Sequence, residues 1–540
     1  MKITVMPWMA GVIGTIVCAQ GGYSQTVSEW ISTTAGGEWT DPLMWDNGVP
    51  DGASYHAVFP VTTTSGAKNV TITDADIQVN RVIRESGVAG PGYWRIGSSG
   101  TGVLTFVGED AGIYYEGSSY SSDALRFDAK IAGTDGLIVS GSSRVLIYNN
   151  GNTFTGGVTL QGGSVILATY NPLVLNNNAI TVKSSSQWIM NFDIARAYTN
   201  DIHLEATFHM RPQQEVLVTY GGNITESGGS RNVRFSSYNG LGNILLTGDN
   251  AYSGETIIGT TAASSNMIVH AGSDTALGTG IQVTLVATGI QNTLALQDNV
   301  TISGKNLSLN GTGSSAEGAL RSTVGNNIWN GTAVIGANST AYLGASENAS
   351  LTMKGDISGT AHQDATEGIA KVGLGSVILE GNNTFTGGVR VLEGNLTGAH
   401  NNALAGGNLI LEEAGNVSLT IANGVELAVD DLTLGADAEF VFELGLASVD
   451  TLLAVAGNQS GSATYTVNIV DVGGLEAGTY TLMTVAGTAN AAGFILGDTA
   501  GYDMTLNWSE NTLTLNVIPE PGMGILIGIG GLVLGLRRRR

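Results

Sequence analysis

Residues 151–158, with the sequence GNTFTGGV, decide the fold, because the same pattern returns later in the chain. It recurs as NNTFTGGV at residues 382–389 and more loosely as DNAYSGET at residues 249–256. A segment that repeats with a fixed order of polar, aromatic and glycine residues is typical of a repeat architecture in which each unit packs on its neighbours. The aromatic position in each copy is predicted to fill the core.

These three aromatic residues, Phe154, Tyr252 and Phe385, are unevenly spaced. Phe154 and Tyr252 are 98 residues apart, and Tyr252 and Phe385 are 133 residues apart. Each copy follows a short apolar run and precedes a second run and a small turn. The spacing predicts that degenerate units separate the recognisable ones, which favours a solenoid over a strict array.

Strand-length patterns dominate the sequence around the repeats. Between Leu409 and Leu444 apolar clusters return every seven to nine residues, with Gly, Asn or Asp between them. No amphipathic pattern of helical length is evident. A sandwich of hairpins is one solution, but near-identical units favour stacked parallel turns that bury their apolar rows on one another. We therefore predict an all-β fold, an elongated parallel β-solenoid (β-helix), from about Val27 to Val517.

The repeat units and their flanking strands resemble autotransporter-associated β-strand repeats. The segment from Trp39 through Trp45 to Pro50 is similar to the region that often precedes such repeats. The resemblance implies a β-helix, but not self-translocation. An autotransporter ends in a large barrel of alternating strands, whereas this sequence ends in a short apolar run and arginines.

Composition restricts the possible partners of this body. The 540 residues include 78 glycines and only 12% charged residues, and the formal net charge is −23. Such a negative surface repels phosphate backbones, so nucleic-acid binding is disfavoured. The only cysteine is Cys18, which excludes disulfides within the mature body if the leader is removed.

The first residues have the order of a secretory signal peptide. Lys2 precedes an apolar stretch from Met6 to Ala19, and small residues follow. Residues 1–24 are therefore predicted to be a leader, cleaved after Ala19 or after Ser24. Lipidation of Cys18 is an alternative with poorer sequence context, and a buried strand is disfavoured because polar residues do not alternate here.

The last residues, 518–540, are predicted to be a sorting tail that follows a β-solenoid body at residues 25–517. Pro519, Glu520 and Pro521 precede a charge-free run from Gly522 to Leu536. Four arginines end the chain: Arg537, Arg538, Arg539 and Arg540. An apolar run with a basic stop predicts a single transmembrane helix with a cytoplasmic C-terminus. Fifteen helical residues rise only about 22 Å, so this helix spans a bilayer marginally.

This tail resembles the PEP-CTERM sorting signal. The resemblance implies that an exosortase, a membrane-embedded processing enzyme, recognises Pro519-Glu520-Pro521 and removes the tail. The two prolines oppose helix formation and present Glu520 on an extended segment beside the membrane. A plain tail anchor is the simpler alternative.

Residues with catalytic or metal-binding potential are scattered. The six histidines form no HExxH pair, although His203 and His209 would share a face if one strand ran through both. Four acidic pairs occur: Asp74/Asp76, Glu109/Asp110, Glu412/Glu413 and Asp430/Asp431. Adjacent acids on a strand point to opposite faces, which makes them poor glycosidase pairs. We predict no catalytic, cofactor-binding or metal-binding residues.

Three tryptophans near the start, Trp30, Trp39 and Trp45, have two possible roles. Exposed rings would stack on sugars, whereas buried rings would close the first turn of the solenoid as an apolar cap. The sequence leaves both roles open.

The sequence predicts a non-catalytic structural protein of the cell surface or extracellular matrix, exported, membrane-anchored as a precursor and then processed by an exosortase-type enzyme. Envelope or matrix polysaccharide is a possible partner. The alternatives are a β-helix carbohydrate-active enzyme and an adhesin or polysaccharide-binding protein. An outer surface of Asn, Thr and Ser would favour the structural role, and an exposed aromatic row would favour the binding role.

Overall fold

The protein is described from a computed structural model, which divides into two compact units, Met1–Gly254 and Glu255–Arg540. The described residues are 25–32, 36–60, 66–85, 92–115, 124–162, 166–169, 171–191, 195–213, 216–237, 240–260, 266–286, 291–336, 339–360, 367–413, 416–445 and 452–518. The predicted signal peptide at residues 1–24 and the tail from Pro519 onward lie outside these ranges.

The described part of the first unit consists of short strands, numbered β1 to β23 in chain order. They are Thr26–Glu29, Gly36–Glu38, Gly52–Phe59, Gly66–Ile72, Asp76–Arg84, Gly92–Ser98, Val103–Phe106, Gly112–Tyr115, Ala124–Phe127, Lys130–Ala132, Leu137–Gly141, Arg144–Ile147, Val158–Gln161, Ile166–Thr169, Ile180–Val182, Ser186–Asn191, Arg196–Tyr198, Ile202–Leu204, Phe208–Gln213, Val218–Tyr220, Ile224–Glu226, Val233–Phe235 and Gly242–Leu246.

These strands form parallel sheets because successive turns of the chain lie side by side. The first sheet has the order β1-β3-β5-β8-β11-β13-β15-β18-β21, with β7 and β10 joined to it. The second sheet runs from β2 through β4, β6, β9, β12, β14, β16 and β19 to β22. A third begins with β17, β20 and β23.

The second unit continues the numbering with β24 to β49. They are Thr256–Ile258, Met267–Ala271, Gln282–Leu285, Thr293–Gln297, Thr301–Leu309, Leu320–Val324, Asn326–Ile335, Ala341–Ala345, Ser350–Met353, Ile357–Gly359, Glu367–Val372, Ser376–Leu379, Gly388–Val391, Asn395–Gly398, Leu409–Leu411, Ser418–Ile421, Glu426–Val429, Leu432–Leu434, Glu439–Leu444, Leu452–Val455, Gln459–Ser460, Thr464–Asp471, Gly478–Val485, Gly493–Leu496, Met504–Ser509 and Thr512–Val517.

Two long parallel sheets and one short sheet make up this unit. One long sheet runs β24-β26-β28-β30-β32-β35-β37-β39-β42-β45-β47, and β33 also pairs with β30. The other runs β25-β27-β29-β31-β34-β36-β38-β41-β44. The short sheet has the order β40-β43-β46-β49-β48.

The prediction of an all-β fold built as a parallel β-solenoid is confirmed. The two units together contain about 16 turns and almost no helix. The helical segments of the described residues are three 3-10 turns, Pro42–Met44, Pro172–Leu175 and Ser314–Ala316. Short strands arise because apolar and polar residues alternate with the period of a strand and not of a helix.

The core is built from columns of equivalent residues on successive turns. In one column Val377, Leu396, Leu419 and Phe440 are register partners, and all four are fully buried. Side chains on a strand point alternately to the two faces, so one residue in two along each strand enters such a column. Each apolar residue is therefore covered by its counterpart on the next turn.

The aromatic residues of the repeats are also buried, although they lie between strands, at the corners. Phe154, Tyr252 and Phe385 are 1%, 0% and 3% exposed. In two of the copies the glycine two positions after the aromatic residue, Gly156 or Gly254, lies against the preceding turn. A Cβ on Gly156 would lie 2.5 Å from the backbone nitrogen of Gly136, so a larger residue does not fit there.

The asparagine two positions before each aromatic residue joins three turns. Asn383 is 3% exposed, and its Oδ1 accepts a bond from the Ile357 amide at 2.8 Å while its Nδ2 donates to the Ala403 carbonyl at 2.7 Å. Asn152 makes the equivalent pair of bonds to turns on either side. Asn250 accepts the matching bond from the Ile224 amide at 2.9 Å. One side chain thus satisfies a donor and an acceptor that the turns leave unpaired.

The three N-terminal tryptophans form an apolar cap at the beginning of the first unit. Trp30, Trp39 and Trp45 are at most 3% exposed and pack with Phe59 and Trp94. The ring centroids of Trp30 and Trp45 are 5.1 Å apart, and those of Phe59 and Trp94 are 4.9 Å apart. Buried rings cannot stack on sugars, so the sugar-stacking alternative for these residues is wrong.

The fold departs from parallel stacking at its last strands. β49 pairs antiparallel with both β46 and β48. Glu510 and Asn511 connect β48 to β49 with φ values of 51° and 58°. Positive φ at both central residues is the geometry of the two-residue turns that match the twist of a hairpin. The chain therefore reverses direction here, which ends the parallel stacking of this short sheet.

We predict that replacing Asn383 with Ala destabilises the protein far more than replacing its neighbour Asn382. N383A leaves the Ile357 amide and the Ala403 carbonyl buried without partners, which costs about 2–4 kcal/mol. Asn382 is exposed and its amide oxygen accepts from Asn402, so N382A should cost less than about 1 kcal/mol. Urea unfolding of both variants measures the difference, and equal losses would contradict the role of Asn383.

Candidate functional site

One member of each acidic pair noted in the sequence has a structural partner. Asp110 forms an ion pair with Arg81 at 3.3 Å, and Glu412 accepts a bond from Arg390 at 2.6 Å. Asp74 precedes β5 and its Oδ1 accepts a bond from the Thr101 amide at 3.2 Å. A carboxylate that accepts backbone amides organises a turn and does not need a substrate to explain its presence.

Asp and Asn side chains also link successive turns at the corners. The Asp431 amide donates to Asn408 Oδ1, the Asn458 amide donates to Asp431 Oδ1, and the Thr488 amide donates to Asn458 Oδ1, at 3.1, 2.6 and 2.9 Å. The partners in these bonds are 23, 27 and 30 residues apart. The abundance of Asp and Asn between strands therefore reflects a ladder of side chain to backbone bonds.

His203 and His209 do not share a face, so that expectation is wrong. His203 is on β18 in the first sheet, whereas His209 is on β19 in the second. The residues between them form the corner where the chain passes from one sheet to the other. His203 lies within hydrogen-bonding distance of the Thr225 and Ser227 hydroxyls. Within the described residues no group of three His, Cys, Asp or Glu side chains is placed to hold a metal ion.

Two well-buried histidines, His209 and His270, are held neutral. Burial, and then the positive charges of Arg211 and Arg234, lower the pKa of His209 to about 3. Burial, and then the charge of Arg321, lower the pKa of His270 to about 4. An imidazole with such a pKa does not titrate near neutral pH and is not poised as a general acid or base there.

Lys371 is a buried cation that the sequence did not single out. It is 0% exposed, and its Nζ donates to the carbonyls of Gly375 at 2.6 Å, Glu393 at 2.7 Å and Gly373. Burial lowers the pKa of Lys371 to about 7, although the charge of Glu393 acts in the opposite direction. The ammonium group satisfies three carbonyls of glycine-rich turns, which gives it a structural role. The Nζ of Lys305 similarly donates to the carbonyls of Leu277, Gly278 and Gly280.

The outer face of β35, β37 and β39 carries neutral side chains, which are Ser376, Ile378, Asn395, Thr397, Ser418 and Thr420. At its centre Asn395 Nδ2 donates to the hydroxyls of Ser376 and Thr397, and its Oδ1 accepts bonds from Ser418 and Thr420. These four distances are between 2.8 and 3.0 Å. Hydroxyl and amide groups on three turns therefore satisfy one another in a regular network.

A different arrangement occupies the outer face of β4, β6 and β9 in the first unit. Asp128 accepts a bond from Arg126 Nε at 2.8 Å and a second from Arg95 Nε. Arg95 and Arg126 are register partners on adjacent turns. Beside Arg95 and Asp128 a shallow groove of about 200 Å³ is also lined by Asn69, Thr71 and Ser99.

The sorting residues Pro519, Glu520 and Pro521 and the stop residues Arg537, Arg538, Arg539 and Arg540 lie outside the described residues. The described chain ends at Ile518, whose amide donates to the Asp503 carbonyl at 2.9 Å. Across the described ranges the protein has no helix with the length and apolar character needed to cross a bilayer.

Comparison with known proteins does not identify a family. No protein-family model matches the chain, and no curated protein matches it.

We predict that the stability of the protein depends on pH through Lys371. Between about pH 7, its pKa in the folded protein, and its ordinary pKa of 10.5, the unfolded chain holds a proton that the folded chain lacks. Folding stability should therefore rise with pH in this window, by on the order of 4 kcal/mol, of which about 3 kcal/mol falls between pH 7 and pH 9.5.

Comparison of wild type with K371M tests this expectation. Chemical unfolding at pH 7 and pH 9.5 should show a gain in wild-type stability that K371M lacks. Lys354 is 44% exposed and 3.9 Å from Glu380, so K354M is a suitable control that should keep the wild-type gain. Parallel pH profiles for wild type and K371M would rule out the assigned role of Lys371.

Proposed function

We propose that this protein is a non-catalytic structural component of the cell surface or extracellular matrix. In this proposal it is exported through the predicted signal peptide, held in the membrane as a precursor, and processed by an exosortase-type enzyme at its PEP-CTERM tail. The mature body is then a β-solenoid that presents the outer faces of its sheets to its surroundings.

The network around Asn395 is the observation that carries this proposal. Its amide and the four hydroxyls of Ser376, Thr397, Ser418 and Thr420 bond to one another and stabilise the stacking of turns. Neutral, mutually satisfied groups lack the perturbed acids, bases and nucleophiles of an active site. A face of this kind suits a scaffold that remains soluble outside the cell.

The acidic residues support the same role. Corner residues such as Asp431 bond backbone amides of the next turn, and Glu412 pairs with Arg390. Carboxylates used in this way stabilise the repeat. The alternative of a β-helix carbohydrate-active enzyme rests on analogy with other solenoids, which does not establish an activity. The alternative of a polysaccharide-binding protein is supported by the groove beside Arg95.

The position of Ile518 is relevant to processing. Ile518 immediately precedes Pro519, and its amide donates to the Asp503 carbonyl. The Pro-Glu-Pro segment therefore follows the folded body directly in the sequence. A processing enzyme at the membrane surface would therefore act close to β49. The sequence of this segment, with two prolines, favours an extended backbone over a helix.

We predict that replacing Pro519, Glu520 and Pro521 with Ala leaves membrane insertion intact and blocks processing. Uncleaved precursor should accumulate in the membrane fraction, because the apolar run and the arginines are unchanged. The mass of the C-terminal peptide of the mature protein, measured after cell fractionation, reports the cut. Efficient trimming of the Ala variant would refute recognition of this segment.

Replacing Arg537 to Arg540 with Ser complements the Ala variant, because it tests whether these arginines stop translocation of the apolar run. Fifteen apolar residues hold a bilayer weakly, so the variant should slip outward and escape processing without accumulating in the membrane. Retention of all four arginines in wild-type mature protein would contradict the sorting role and leave a plain anchor.

A further inference from the structure

Arg95, Arg126 and Asp128 form a group of three charges beside the shallow groove of the first unit. Asp128 uses one oxygen for each arginine, and each arginine contributes its Nε atom. The group therefore has a net charge of about +1 at neutral pH, because one carboxylate faces two guanidinium groups. Within the described part of the chain no acceptor bonds the Nη atoms of either arginine.

This positive group contrasts with the acidic composition of the chain. The second unit contains a similar group of opposite sign, in which Arg390 bonds both Glu367 and Glu412. Residues 255–518 carry 5 Lys and Arg against 24 Asp and Glu, whereas residues 25–254 carry 12 against 20. A group with an excess of arginine therefore stands against the acidic composition of the chain.

The two arginines are also held in a defined orientation. The guanidinium carbon of Arg126 lies 3.7 Å from the centroid of the Tyr148 ring, and Asp128 fixes the other edge. The Arg95 side chain is 44% exposed. A guanidinium whose Nε edge is bonded still presents its two Nη groups, and this fork matches the two oxygens of a carboxylate.

The remaining lining of the groove suits sugar hydroxyls. Asn69 provides an amide, and Thr71 and Ser99 provide hydroxyls on neighbouring turns. At about 200 Å³ the groove is smaller than the pockets that enclose a whole small ligand, roughly 300–1,000 Å³. It is open along the sheet, which fits one residue of a polymer lying across the surface.

We propose that this groove binds a carboxylate-bearing sugar residue of an acidic polysaccharide, with two anion-binding groups: Arg95, which lines the groove, and Arg126, its register partner on the adjacent turn beside the groove. The carboxylate accepts bonds from the Nη atoms, and Asn69, Thr71 and Ser99 bond the ring hydroxyls. A nucleic acid is the weaker fit, because a net charge of −23 repels a continuous phosphate backbone and a single +1 group neutralises little of it. The inference deepens the structural role proposed above by naming the polymer that the scaffold would hold.

Binding of oligogalacturonate to the purified full-length protein, measured by calorimetry, tests this site. The wild type should bind the oligosaccharide, and full methyl esterification of the probe should weaken binding at least about tenfold, because it removes the charge and keeps the hydroxyls. R95Q and R126Q should each weaken binding by a similar factor. N69A should weaken it less, and K354Q, which removes one positive charge elsewhere, should leave binding within about twofold.

Several outcomes would overturn the assignment. They are absence of binding by the wild type, equal binding of the methyl ester, wild-type affinity in folded R95Q and R126Q, and stronger competition by single-stranded DNA than by the sugar. Circular dichroism and the unfolding midpoint identify any variant that fails to fold, and R95K, which keeps the charge and loses the fork, should then show an intermediate affinity.

The same experiment separates this inference from the proposed function. Recovery of the oligosaccharide uncleaved agrees with a non-catalytic protein, whereas cleavage would contradict that role and leave the binding site intact. R95Q has an unchanged tail, so its location on the cell should equal that of wild type. Loss of sugar binding with normal location would support the groove without depending on how the tail is processed.

Discussion

The structure depends on one constraint, which is that every turn must pair its backbone groups with the turns on either side. Strands meet this requirement along the sheets, but corners leave donors and acceptors unpaired. The buried asparagines Asn152, Asn250 and Asn383 supply the missing partners, because one amide both accepts and donates. The aromatic residue that follows each asparagine fills the space inside the corner. The sequence repeats because each such corner requires the same buried asparagine and the same buried aromatic residue.

The same constraint shapes the surface. Residues on the outer faces must tolerate close neighbours on adjacent turns, and short hydroxyl and amide side chains do so by bonding to one another, as they do around Asn395. Long charged side chains interrupt such a network. The group formed by Arg95, Arg126 and Asp128 is therefore informative, because it replaces the neutral pattern with arginines that share a single carboxylate.

The elements that follow from local sequence were predictable. Alternation and turn residues identify the strands, and the repeat identifies Phe154, Tyr252 and Phe385 as positions of equivalent environment. The register between turns is not local, so it could not be predicted. Asp128 and Arg95 are 33 residues apart, and only stacking brings them together. His203 and His209 would share a face only on a single strand, and the structure places them on β18 and β19 with a corner between them.

Other differences have physical reasons of the same kind. Lys371 follows Ile369 and Ala370 on β34, and only the fold shows that three carbonyls surround its ammonium group. The final hairpin was missed because repeat similarity favoured parallel turns throughout. Its signal was present, since Glu510-Asn511 between two alternating strands suits a turn with positive φ.

Hydrogen exchange of the corner amides tests the central claim most directly. Asn152, Asn250 and Asn383 accept bonds from the amides of Ile131, Ile224 and Ile357. These isoleucines lie on β10, β21 and β33. If the asparagine bonds hold the turns together, their amides should exchange only when a turn opens, as slowly as strand amides that bond backbone carbonyls. The Ala500 amide, which bonds Asp498 in an exposed turn, provides the fast reference. Exchange of the isoleucine amides at the rate of Ala500 would contradict the account.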